Sequence, residues 1–198
     1  MAARRAATRR EILDAAWQLA RENGLNALAL RDLGARVGMK AQSLYSYFDS
    51  KHAIYDAMFR DGYQQYLDGP VHDLEAPDPS RVREQLIDGM YSYIDFCNAD
   101  PVRFQLLFQR TIPGFEPSPE SMAVAFQVYE RTVGLLASSG LADDKALDLW
   151  TAVATGLASQ QIANDPGGTR WRVLVPDAID MLLTILTPVP KPTTWRPR

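Results

Sequence analysis

The stretch LRDLGARVGMKAQSLYSYFDSK, residues 30–51, decides the fold. Leu33 and Val37 lie four apart and share one face of a short helix over 30–37. Gly34 is small where a second helix must cross closely, and Gly38 can take the positive φ of a tight turn. Leu44 and Phe48, again four apart, anchor a second short helix over 41–47 on the same core. Two short helices joined at a glycine form a helix-turn-helix. With its apolar residues turned inward, the second helix keeps Lys40, Gln42, Ser43, Tyr45, Ser46 and Tyr47 outside. Those side-chain types donate to phosphates and base edges.

Helical spacing continues on both sides. Upstream, Ile12, Leu13, Ala16, Trp17, Leu19 and Ala20 make a one-sided stripe that predicts a helix over 8–23. Thr8 with Glu11 forms a capping box at its start, and Asn23-Gly24 ends it. Ile12, Ala16 and Leu19 would cover the core of the helix pair from the other side. Downstream, Asp49-Ser50 caps a longer helix over 51–67. Gly69-Pro70 breaks that pattern, and 70–80, with three prolines, reads as a loop.

Further helices are predicted over about 80–98, from Asp100-Pro101 to Phe108, over about 118–138 and 143–163, and from Pro176 to near 186. No segment shows the period-2 alternation of a half-buried strand. The tail 188–198, with four prolines, predicts an extended or disordered segment. The fold class is therefore all-α, with about nine helices. A three-helix helix-turn-helix head (1–50) is linked by the helix 51–67 to a larger helical body (51–187).

The 198 residues carry a net charge of −3, and that total hides an asymmetry. Residues 1–60 hold ten Lys or Arg against six Asp or Glu, a balance of +4. Residues 61–198 hold eleven against eighteen, a balance of −7. A basic head on an acidic body suggests that only the head meets a polyanion. No window approaches the ~18 uninterrupted apolar residues of a membrane helix. The N-terminal arginines have no apolar segment behind them, so no secretory signal is expected. A single cysteine, Cys97, fits a reducing, cytoplasmic compartment. Two histidines and one cysteine offer no metal spacing, and there is no Gly-rich phosphate loop. No metal, cofactor or enzymatic activity is expected; an enzyme and a protein-interaction module without DNA are the alternatives.

The pieces ILDAAWQLARENG (12–24), LRDLGARVGM (30–39) and SLYSYFDSKHAI (43–54) resemble the DNA-binding domain of the TetR family of bacterial transcriptional regulators. The resemblance covers residues 8–58. It implies a three-helix DNA-binding head, a helical body that dimerises and binds small effectors, and repression as the default. By position, Tyr45, Tyr47 and Lys51 should contact phosphates. Lys40, Ala41, Gln42 and Ser43 open the recognition helix and should reach base edges, Gln42 toward adenine and Lys40 toward guanine. Arg31 is a further phosphate or base contact. Two departures stand out. Leu28-Ala29 replaces the hydroxyl residue that usually precedes the second helix, and Lys40 replaces the usual serine. Arg4, Arg5, Arg9 and Arg10 either grip phosphates or form a solvated tail.

In the body, the final helix DAIDMLLTILT is apolar nearly all round, which suggests burial on two sides. With the preceding helix it supplies the candidate homodimer interface, with burial within the monomer as the alternative: Leu147, Trp150, Ala154, Leu157, Ala158, Gln161, Ile179, Leu182, Leu183 and Leu186. A dimer would place two heads about 34 Å apart on a palindromic operator. Tyr63, Tyr66, Tyr91, Phe96, Phe104, Phe108, Phe126, Tyr129 and Trp150 are the candidate ligand-binding rings, with ordinary core packing as the alternative for each.

Overall fold

The computed structural model describes residues 1–69, 78 and 80–186. The chain is all-α, and no strand occurs among the described residues. In order the helices are α1 (Ala2–Asn23), α2 (Leu30–Arg36), α3 (Ala41–Leu44), α4 (Lys51–Asp68), α5 (Val82–Ala99), α6 (Pro101–Phe108), α7 (Pro119–Ser138), α8 (Asp144–Asn164) and α9 (Val175–Leu186). The tail 188–198, and most of the loop expected over 70–80, lie outside the described residues.

The helix starts follow local chemistry. Ser50 caps α4 by accepting from the Ala53 N–H at 3.0 Å. Asp100 caps α6 by accepting from Arg103 N–H at 3.1 Å, with Pro101 in the first turn. Asp143 caps α8 through Ala146 N–H at 2.7 Å. The capping box expected at Thr8 is absent, because α1 begins at Ala2 and Thr8 lies inside it. Four alanines among residues 2–7 favour the helix strongly, and the Arg10–Asp14 pair at 2.6 Å ties one turn to the next. α3 is also shorter than expected. The Tyr47 and Phe48 amides both donate to the Leu44 carbonyl at 2.9 Å, which closes the helix into a turn.

Two compact units are present. Unit 1 comprises Met1–Asp73 and Asp95–Arg131. Its core contains Ile12, Ala16, Leu19, Leu33, Leu44 and Phe48, so the helix pair and α1 close on one another as the spacing predicted. Ile54 and Met58 of α4 and Leu106 of α6 complete the same cluster. Asp61 of α4 holds α1: it accepts from Trp17 Nε1 at 2.9 Å and also from Arg10. Asp56, one turn earlier, accepts from the Ser118 N–H at 2.7 Å and the Ser121 hydroxyl at 2.9 Å at the start of α7.

Tyr55 is buried and donates its hydroxyl to the Leu25 carbonyl at 2.5 Å. Burial pushes its phenol up to about 12. Because the folded value lies above the unfolded ~10, the stability it contributes is complete below pH ~10 and is lost as pH rises toward 12. Tyr63 and Tyr66 are raised in the same direction by burial. Tyr55→Phe should lose about 0.5–1.5 kcal/mol at neutral pH through the lost buried hydrogen bond, since the Leu25 carbonyl still accepts from the Leu28 N–H at 3.3 Å. It should also lose less between pH 10 and 12 than the parent chain does, as thermal melts across that range would record.

Unit 2 comprises Leu74–Ile94 and Thr132–Arg198. Leu86, Met90, Ile94, Leu136, Trp150, Ala154, Ala158, Ile179 and Leu182 form its buried interior. A Cβ on Gly89 would come within 2.8 Å of Leu135 Cδ2, so α5 and α7 approach closely there. Arg83 of α5 forms a two-pronged pair with Asp180 of α9 at 2.6 and 2.9 Å.

Candidate nucleic-acid interface

The helix-turn-helix has the geometry its glycines demand. A Cβ on Gly34 would lie 2.7 Å from the Met39 carbonyl oxygen and 3.1 Å from Ala41 N. Gly38 adopts φ +67°, and Met39 N–H donates back to the Gly34 carbonyl at 2.8 Å. The turn is thus held by backbone bonds, and α3 crosses α2 at a distance only glycine permits. Neither short helix has a side-chain cap: Ala29 precedes α2 and Lys40 precedes α3. The missing hydroxyl at Leu28-Ala29 therefore has its structural counterpart.

One face of this motif is open. Lys40, Gln42 and Ser43 are exposed, Ala41 is half-buried, and Tyr45 keeps 51% of its surface. Among the described residues, the Lys40 and Gln42 side chains have no hydrogen-bond partner. Arg31 is exposed and forms an ion pair with its neighbour Asp32 at 3.3 Å. Lys51, at the start of α4, lies 3.4 Å from the Asn26 carbonyl and 5.4 Å from the Tyr55 ring centre. Tyr47 differs from the others, because its ring packs partly against the core of unit 1. The N-terminal arginines are helical rather than a loose tail: Arg5 and Arg9 reach residues 46–48. Sequence reasoning left their role open, because the expected helix over 8–23 excluded Arg5; in the longer α1 the i, i+4 spacing puts both on one face.

The candidate ligand rings divide. In unit 1, Tyr63 lies against Phe108 (5.7 Å between centroids), Phe104 against Phe108 (6.0 Å) and Tyr66 against Phe96 (4.5 Å). Arg103 covers the Phe96 ring at 3.6 Å and donates to Gln65 Oε1 at 2.8 Å. Burial lowers its guanidinium, and its Nε is buried without a partner. Phe126 and Tyr129 are instead exposed and stack on one another at 5.2 Å. In unit 2, Tyr91 lies under the Arg172 guanidinium at 4.1 Å, and Trp150 approaches Gly89. A surface cleft of about 290 Å³ beside α1 and α4 is lined by Arg9, Asp56, Arg60, Asp61 and Gln64, none of them a candidate ligand residue.

Of the candidate interface residues, Trp150, Ala154, Ala158, Gln161, Ile179 and Leu182 are buried inside unit 2. Leu147, Leu157, Leu183 and Leu186 are half-buried. Gln161 accepts from the Trp171 N–H at 2.8 Å and the Arg172 N–H at 3.2 Å, so it fastens the connection that follows α8. The apolar side chains that α9 leaves exposed are Met181 and Ile185. No described helix is long and apolar enough to cross a membrane.

Comparison with known proteins accords with this geometry. Residues 12–58 match the model of the bacterial regulatory proteins of the tetR family. The HTH-type transcriptional repressor KstR2 of Rhodococcus jostii is 34% identical over 99 residues, 49% of this chain and 48% of that protein. The HTH-type transcriptional repressor Rv1353c of Mycobacterium tuberculosis is 26% identical over 144 residues, 73% of this chain and 52% of that protein. The chain thus spans about half the length of these relatives. The solved structure of a protein with unknown function from Rhodococcus sp. RHA1 superposes with a TM-score of 0.73 at 19% identity, covering 91% of this chain and 96% of that one. The TetR-family regulator PfmR from Thermus thermophilus superposes at 0.61 with 23% identity, covering 87% and 97%. At these identities the superpositions establish the fold.

Proposed function

We infer function from one premise: through residues 12–58 this chain is a member of the tetR family of bacterial regulatory proteins. It is a transcriptional regulator that binds DNA through the head. The observation that carries this reading is the open face of α3, where Lys40, Gln42 and Tyr45 project from a rigid turn. In this proposal Lys40, Ala41, Gln42 and Ser43 enter the major groove. Tyr45, Tyr47, Arg31 and Lys51 lie toward the flanking phosphates. The chain acts in the cytoplasm as a homodimer on a palindromic operator. A small-molecule effector, seated against the rings of unit 1, releases it.

Within unit 1, α4 supports a route for that release. It carries Lys51 and Ile54 at the head and Tyr63 and Tyr66 among the rings. An effector that prefers one placement of α4 would bias the placement of Lys51 and shift the population of binding-competent dimers.

A titration against duplex DNA tests the reading. Affinity should fall linearly with the logarithm of salt concentration. Lys51→Ala or Tyr45→Phe should weaken all sequences alike, and Lys51→Ala should also reduce the salt slope by about one. Gln42→Ala should instead change which base is preferred, at a cost of about 1–3 kcal/mol at one position. Equal weakening of every sequence by Gln42→Ala would remove Gln42 from base reading.

A further inference from the structure

α3 ends after four residues, and the segment that follows carries the rings meant to face DNA. Its carbonyls have left the helical ladder, so side chains or water must take the place of helical N–H donors. Two arginines on α1 supply them in matched register. Arg5 donates to the Ser46 carbonyl, and its guanidinium lies over the Tyr47 ring at 5.3 Å. Arg9 donates to the Tyr47 carbonyl at 2.6 Å, and its guanidinium lies over the Phe48 ring at 4.1 Å. Each arginine takes one carbonyl and the next residue's ring. The two sit one turn apart on α1, and their acceptors are consecutive residues.

We propose that Arg5 and Arg9 are positioning residues that clamp residues 45–48 for DNA binding and do not themselves grip phosphates. This rests on the head being the DNA-binding surface. Cations at the end of a short helix also complement its dipole. The planar fork matters more, because a guanidinium can donate in its plane while its face rests on an aromatic ring. A lysine ammonium keeps the charge but has no planar face to lay on a ring while it donates, so it fits this paired contact less well. Phe48 is buried in the core of unit 1, so the Arg9 contact ties the outer segment to a fixed anchor. The Tyr45 ring, one turn earlier on the exposed face, takes its direction from that segment.

The test uses the full chain and the variants Arg9→Lys, Arg9→Ala and Arg5→Lys. DNA affinity is read on a duplex selected from a random pool by the wild-type protein. Hydrogen exchange of the amides at 45–48 is read without DNA. Both Arg9 variants should lose about tenfold in affinity, the worth of one charge-assisted hydrogen bond. Arg9→Lys should keep the wild-type salt slope, and both should exchange faster at 45–48 while the α4 amides stay protected. Arg5→Lys should show the same pattern in smaller degree. Wild-type affinity in Arg9→Lys, with a salt slope lowered by about one in Arg9→Ala, would make Arg9 a phosphate ligand and overturn the clamp. Unchanged exchange at 45–48 in both variants would overturn it too. If the wild-type protein selected no duplex, the regulator reading would fail, and the exchange measurement would still decide the clamp.

Discussion

Gly34→Ala is expected to destabilise unit 1 by about 2–3 kcal/mol, the scale of overpacking a close contact, and to abolish DNA binding. The added Cβ would sit 2.7 Å from the Met39 carbonyl and 3.1 Å from the Ala41 amide nitrogen, and both are backbone atoms. Backbone cannot rotate aside as a side-chain end can, so α3 must shift relative to α2. Such a shift moves Lys40, Gln42 and Ser43 together. The loss of binding should therefore exceed what the lost stability alone accounts for. Gly38→Ala is the control. Its Cβ would meet nothing within 4 Å, and its cost comes from φ +67° alone, about 1 kcal/mol or slightly more. Urea unfolding measures both stabilities and fluorescence anisotropy with duplex DNA measures both affinities. Similar binding defects in the two variants would mean that the close crossing does not set the aim of α3.

Both glycines were legible because each answers a demand made by its immediate neighbours. The same holds for Ser50, Asp100 and Asp143, whose caps depend on the next three residues. Thr8 misled for a related reason. The box pattern is local, but whether a helix starts at it depends on what precedes it, and residues 2–7 include four alanines that carry α1 to Ala2. Long-range contacts left weaker traces. Nothing near Asp61 in sequence announces that it joins Trp17 and Arg10 from forty or more residues away. Arg5 and Arg9 had no legible target, because their acceptors are backbone carbonyls and any residue supplies those. Gln161 is similar: it sits in line with alanines on one helix face, and only the folded chain shows its amide turned to the Trp171 and Arg172 backbone. Hydrophobicity in the last two helices was plain, but its division between own interior and outer face was not. Ile179 and Leu182 are buried within unit 2, whereas Met181 and Ile185 keep 48% and 53% of their surface.

That division puts Met181 and Ile185 on the outer face of α9. Met181→Glu with Ile185→Glu should leave each protomer folded and yet lower operator affinity by about a hundredfold or more, the scale lost when two linked sites become independent. The two side chains are exposed on α9, so charging them costs unit 2 little of its interior. At a two-fold interface each residue would meet its counterpart's surroundings, which brings four new carboxylates into one desolvated patch. The pair should therefore dissociate, and one head alone cannot hold two half-sites. Ile179→Ala supplies the contrast. It removes buried volume from unit 2, costs about 2–4 kcal/mol of stability, and should leave association intact wherever the protomer is folded. Sedimentation velocity reports the oligomer, thermal melting the fold, and anisotropy the affinity. A double glutamate variant that sediments and binds like the parent chain would remove α9 from the interface. The DNA-binding role of the head would stand, because it rests on α3 and its own turn.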